Sequence, residues 1–220
     1  EIVLKERFLY ICKKKDMICV WDVCYESLRY DGHKNTPVEL SESGPILMSS
    51  FTKTISPGTK CGYMILPKER IGPVTNVIAN TRINPNLPTQ AFIAEFMESG
   101  KYDDFQKVLC DLYKPRMDAL NTAIATHFPD SGAVTATGGF FVVINIPEIT
   151  KEKEAQFFAS AKEAGVSIGT ANGTFPPNIL EKNREKGLFI RTPFPALAPE
   201  QITDGIAILK KVAQSVIRGS

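Results

Sequence analysis

Two short stretches hold the residues best suited to chemistry. The first, SSFTKTISPGTKCGY (Ser49 to Tyr63), sets Lys53 among the hydroxyls of Ser50 and Thr52, then a Pro57-Gly58 pair, then a second cation, Lys60. A lysine nucleophile has to spend part of its time deprotonated. That takes desolvation or a neighbouring cation, and Lys60 is a candidate for the second. Hydroxyls, backbone N–H groups and a cation gathered in one loop also suit a phosphate. The Pro-Gly pair turns the chain tightly and lets backbone approach a ligand. The Gly-rich run of a Walker loop is missing. The second stretch, WDVCYESLRYDG (Trp21 to Gly32), puts Asp22 at the end of an apolar run, with Tyr25 just beyond. Such an acid either caps a turn or pairs with a buried cation, because burying a carboxylate alone is costly. Most lysines are solvated surface charges, and that is the plain alternative for Lys53.

The elements that must position these groups follow from the hydrophobic pattern. DMICVWD (Asp16 to Asp22), GPILMSSF (Gly44 to Phe51) and KCGYMILP (Lys60 to Pro67) are short apolar runs, as in buried strands of the parallel type. An opening helix with Leu4, Phe8, Ile11 and Cys12 on one stripe precedes them, and together they predict part of an α/β sheet covered on both faces. Ligands of such sheets sit beyond the carboxyl ends of the strands, where Asp22 and Lys53 fall. From Gln90 the texture turns helical. One helix ends at Gly100 as its C-cap. A long one follows, with Phe105, Val108, Leu109 and Leu112, then Met117, Leu120 and Ile124, on its apolar side and a bend at Pro115. In GGFFVVINIP, Val142, Ile144 and Ile146 alternate with Phe141, Val143 and Asn145, a strand pattern. A helix near Glu152 to Ala164, short strands near Val166 to Gly169 and Leu188 to Arg191, and a last helix burying Ile202, Ile206, Leu209, Ala213 and Val216 complete the chain. Arg191, about to leave its strand, reads by itself as a surface residue. Two domains are expected, 1–100 and 101–220, the second of α+β type.

Composition narrows the function classes. The chain has 220 residues, 43% of them hydrophobic, enough for a sizeable core. Its 26 basic and 24 acidic residues are interspersed, which speaks against a nucleic-acid surface. No run approaches the roughly 18 apolar residues of a membrane helix. Five dispersed cysteines in apolar surroundings (Cys12, Cys19, Cys24, Cys61, Cys110) suggest reduced thiols of an intracellular protein. With only His33 and His127 and no CxxC pair, no metal site is expected. The first residue is Glu1, already inside a helical pattern, so the chain is expected to be a fragment of a longer one, its targeting signals elsewhere.

The lysine segment resembles the cofactor-lysine motif of fold type I, class I/II pyridoxal 5'-phosphate (PLP) aminotransferases. The similarity is greatest to the branch with the 2-aminoadipate, kynurenine and aromatic aminotransferases and the aminotransferase-like domains of GntR-type regulators. That family has Ser-Phe-Ser-Lys-Thr, Pro-Gly, Arg, then Gly-Tyr. WDVCYESLRYDG resembles its Asp-x-x-Tyr-x-x-Leu segment and GLFIRTPFP its Leu-Arg-Leu-x-Phe strand. The three fall in family order and cover essentially the whole chain, aligned to the family's C-terminal half. The resemblance implies a fold: the C-terminal part of the PLP-transferase large domain, with a mostly parallel sheet, plus a small α+β domain. It also implies roles. Lys53 would bond the cofactor aldehyde and then shuttle a proton, and Asp22 would pair with the pyridinium nitrogen. Tyr25 would bond the phenolic oxygen, Ser50, Thr52 and Lys60 would hold the phosphate end, and Arg191 would grip the substrate carboxylate.

The implied activity of the parent is amino transfer from an amino acid to a 2-oxo acid by a ping-pong route, in a cytoplasmic homodimer without nucleic-acid or membrane contacts from this segment. Two residues depart from the pattern: Lys60 stands where the family has Arg, losing the fork, and Thr52 replaces Ser. The family's N-terminal contributions, including its Asn-Pro-x-x-Gly segment, are not in the chain. INPNLP (Ile83 to Pro88) lies downstream of the lysine and is not that segment. The isolated fragment is therefore expected to be inactive. Alternatives are the non-catalytic effector-binding domain of a transcription regulator, a PLP-dependent C–S lyase, and an interaction fragment without cofactor chemistry.

Overall fold

A computed structural model describes residues 2–32, 44–82 and 86–219; His33 and Ile83 to Pro85 lie outside the described residues. The chain divides into two compact units, Glu1–Cys110 and Asp111–Ser220.

In the first unit, helix α1 (Ile2–Lys14) leads through a turn to strands β1 (Val20–Asp22), β2 (Ile46–Ser50) and β3 (Gly62–Ile65), which form one sheet in that order. β1 and β2 run parallel with Asp22 opposite Met48; β2 and β3 run antiparallel with Ser50 opposite Gly62. The expectation that all three strands are of parallel type is therefore corrected at β3. Parallel neighbours need a crossover of a dozen or more residues, usually helical, and the loop after Ser50 only turns and returns. At Gly62 the return leg leaves no room for a side chain: a Cβ there would sit 2.7 Å from the Ser49 carbonyl oxygen. Nor is this sheet covered as expected, since Val20 is 51% exposed and all four β3 residues are exposed. Helix α2 (Lys68–Arg82), not foreseen in the sequence, buries no residue.

Helix α3 (Leu87–Glu98) starts at Asn86, whose side chain accepts a hydrogen bond from the Thr89 N–H at 3.1 Å. Its cap is Ser99, with Gly100 in the left-handed region one residue later (φ 74°). Helix α4 (Lys101–His127) gives its first turns to this unit and the rest to the second. Leu109, Met117, Leu120 and Ile124 are buried, but Val108 and Leu112 are exposed. The two lie roughly 100–140° round the helix from the centre of that buried line, so the apolar stripe is narrower than composition suggested. On α1 only Cys12 of the expected stripe is buried; Leu4, Phe8 and Ile11 are exposed.

The second unit holds β4 (Phe141–Ile146), helix α5 (Lys151–Glu163), β5 (Gly169–Thr170), helix α6 (Pro177–Arg184), β6 (Leu188–Pro193) and helix α7 (Pro199–Arg218). Its sheet is antiparallel in the order β4-β6-β5. Val142, Ile144 and Ile146 face the core, as do Ile202, Ile206, Leu209, Ala213 and Val216 of α7. The strand expected over Val166 to Gly169 begins only at Gly169. Val166 instead closes α5: with Gly165 at φ 87°, its N–H donates to the Ala161 carbonyl at 2.8 Å.

Candidate functional site

Because β1 and β2 are parallel, their carboxyl ends lie on the same side of the sheet. Asp22 ends β1. β2 continues past Met48 to Ser50, and the chain then enters a turn, Phe51 to Ile55, with Lys53 half-buried at its centre. The turn is closed by the Phe51 carbonyl, which accepts from the Ile55 N–H at 2.8 Å and the Ser56 N–H at 3.3 Å. At its base the Ser50 hydroxyl accepts the Thr52 N–H (3.2 Å) and lies 2.9 Å from the Thr52 hydroxyl and 3.2 Å from the Cys61 carbonyl. Pro57 and Gly58 form the centre of a tight turn, with the Thr59 N–H on the Ser56 carbonyl at 3.1 Å. Lys60 takes φ 46°, uncommon for a residue with a side chain. It is held there between this turn and Cys61, whose carbonyl accepts the Phe51 N–H at 3.0 Å. Lys60 itself is exposed.

The electrostatics of Cys24 tie the two stretches together. Its N–H donates to the Asp22 carboxylate at 3.1 Å, which brings its thiol close to the same carboxylate. Burial and the Asp22 carboxylate push the thiol up to about 11, while the Lys53 charge pulls it down. The thiol thus responds to charges from both stretches, most strongly to the Asp22 carboxylate beside it. Tyr25 is half-buried in the turn that follows β1, its carbonyl accepting the Leu28 N–H at 2.9 Å.

Asp22, Tyr25, Ser50, Thr52, Lys53 and Lys60 all belong to the first unit. Arg191 belongs to the second, on the central strand β6 between Val143 and Gly169, exposed, with its guanidinium carbon 3.4 Å from the Phe141 ring centre. Sequence reasoning passed over Cys24, treating it as one of five dispersed thiols. Its signal was its place two residues after the strand-ending acid, where the chain turns back over that carboxylate.

No protein-family model matches the chain. It is similar to aromatic-amino-acid aminotransferase 1 of Thermococcus litoralis, 26% identical over 215 residues, which are 96% of this chain and 49% of the relative. An HTH-type transcriptional regulator of Bacillus subtilis, YdfD, is 24% identical over 205 residues, covering 92% of this chain and 40% of the regulator. Among solved structures, a multiple substrate aminotransferase from Thermococcus profundus superposes with a TM-score of 0.87 at 22% identity, covering 100% of this chain and 53% of that one. The α-aminoadipate aminotransferase LysN of Thermus thermophilus, complexed with N-(5'-phosphopyridoxyl)-L-leucine, gives 0.82 at 19%, covering 100% and 56%. The chain thus has the fold type I aminotransferase fold, and it spans about half the length of these relatives.

The donor set fits the cofactor of that fold: an amine for an aldehyde, a carboxylate for a ring nitrogen, and hydroxyls, backbone N–H groups and a cation for a phosphate. The placement of Asp22 and of the Lys53 turn just after adjacent parallel strands is the observation of this molecule that agrees with it.

Proposed function

We propose that this chain is the C-terminal portion of a PLP-dependent aminotransferase that moves an amino group between an amino acid and a 2-oxo acid by a ping-pong route. The parent would be a cytoplasmic homodimer. When bound, the cofactor supplies the electron-accepting ring that such chemistry needs. Asp22 holds a proton on the ring nitrogen, and Tyr25 orients the phenolic oxygen. Ser50, Thr52 and Lys60 anchor the phosphate end; Lys60 does so as a point charge. Lys53 would hold the cofactor covalently through its amine and would move a proton at the substrate Cα. Arg191 receives the substrate carboxylate in a two-pronged grip.

The observation that carries this reading is the placement of Asp22 and the Lys53 turn at the carboxyl ends of adjacent parallel strands. The test is addition of pyridoxal 5'-phosphate followed by borohydride reduction and peptide mass mapping. A new near-visible absorption band and a reduced adduct at Lys53, both lost in Lys53→Ala, are expected. Equal spectra for the two proteins would remove the cofactor from the reading. Amino transfer is expected only once an N-terminal half is supplied. The similarity to HTH-type regulators supports a second reading, a domain that binds the cofactor and an effector without turnover. Failure of the completed protein to transfer any amino group, with the Lys53 adduct intact, would select it.

A further inference from the structure

The first turns of α4 place three side chains at i, i+4 and i+8, one face of a helix, against the two loops that carry the site. The Tyr102 ring meets the Phe51 ring edge-on, with centroids 6.3 Å apart. The Gln106 Nε2 donates to the Thr54 carbonyl at 2.8 Å. The Cys110 thiol donates to the Arg29 carbonyl at 3.4 Å.

Thr54, next to Lys53, is 4% exposed. Its carbonyl belongs to a single closed turn that no helix continues, so it needs a partner from elsewhere. Gln106 supplies one, 52 residues along the chain. The same carboxamide leaves its Oε1 buried with no hydrogen-bond partner among the described residues. An orphaned buried acceptor is unfavourable. Rotating the amide by half a turn would present that oxygen to the Thr54 carbonyl, acceptor against acceptor, so the orientation is fixed by the tether.

We propose that Gln106 is a positioning residue: its carboxamide pins the Thr54 carbonyl and so holds the Lys53 turn in the one form that presents the lysine amine to its ligand. This deepens the cofactor reading, and its catalytic meaning rests on that reading.

Gln106→Met keeps length and volume but removes the donor. Gln106→Asn keeps the carboxamide and shortens its reach. Two measurements on the 220-residue chain separate the outcomes. In amide hydrogen exchange, both variants are expected to speed Ile55 and Ser56, whose N–H groups close the turn, by at least about five-fold, as befits one buried hydrogen bond. Amides of α4 and of the β2–β3 ladder keep their rates. In reductive trapping, the pyridoxal 5'-phosphate concentration that half-labels Lys53 rises several-fold, while labelling at saturation is unchanged. Unaltered exchange at Ile55 and Ser56, or an equal rise throughout α4 as in Leu109→Ala, would overturn the tether. A tether lost by exchange in a chain that never captures the cofactor at Lys53 would leave Gln106 holding the turn and overturn its role toward the cofactor.

Discussion

Cys24 is the residue through which the charges of the site can be read. Its thiol is raised first by burial and then by Asp22, and is lowered by Lys53. At neutral pH it stays protonated, hence unreactive, since the thiolate is the nucleophile. Alkylation at Cys24 by iodoacetamide should remain slow up to about pH 10 and accelerate toward the value near 11. Asp22→Asn removes the raising influence of the carboxylate and should shift that profile to lower pH; Lys53→Ala removes the lowering one and should shift it higher. Mass mapping of Cys24 against pH reads both, and a profile indifferent to the two substitutions would mean that neither charge lies near the thiol. The same shift has a sign for stability. The unfolded thiol ionises first, near 9, while the folded one keeps its proton. Above pH 9 the unfolded chain therefore binds fewer protons, and Cys24's contribution to stability is lost progressively as pH rises toward 11.

At the scale of elements, the sequence disclosed what periodicity and local chemistry encode. β4 and α7 were legible because each buries one face of a regular repeat: Val142, Ile144 and Ile146 at period two, and Ile202, Ile206, Leu209, Ala213 and Val216 at helical spacing. α2 was passed over although Ile71, Val74 and Ile78 recur at helical spacing: Pro73 inside the run reads as a helix breaker, and the stripe stands open, since the helix buries no residue. The direction of β3 depends on loop length rather than on its own residues, so an apolar run alone misassigned it. At the site, Lys53 and Asp22 stood out by type and place, whereas Gln106 is a helix residue whose meaning lies 52 positions away. Gly62→Ala tests the hairpin directly. With 2.7 Å between the added Cβ and the Ser49 carbonyl, the β2–β3 ladder must shift, and a loss of about 1–3 kcal/mol is expected. Urea unfolding followed by Trp21 fluorescence should show it; no change in midpoint would mean the two strands separate freely there. In the other sheet, Thr192 is 1% exposed and its hydroxyl donates to the Val142 carbonyl at 2.7 Å. Thr192→Val should cost about 1 kcal/mol.

The two units differ most in what they bury. Among the described residues the apolar core of the first consists of Cys12, Leu28, Tyr30, Ile93 and Leu109 with the prolines Pro45 and Pro67, while the larger set of buried apolar side chains, from Met117 to Val216, lies in the second. Large apolar side chains of the first unit stand open instead, including Leu4 at 71%, Phe8 at 51% and Tyr63 at 45%. Burial of apolar area is the main favourable contribution to folding, so a unit with so few enclosed side chains is marginal by itself, and its open faces invite a partner. The half of the relatives' length that this chain does not match gives that partner an identity in our reading: the N-terminal half of the same fold. Two measurements follow. In limited proteolysis by a non-specific protease, cleavage should begin within 1–110, leaving a resistant piece from the second unit, because cleavage samples the readily opened state. Urea should likewise unfold the chain in two steps, with Leu28→Ala advancing only the first and Ile144→Ala only the second. Adding a separately produced N-terminal half should slow the early cuts and merge the steps. One cooperative transition in the chain alone, with even protection along its length, would show that the first unit needs no such completion.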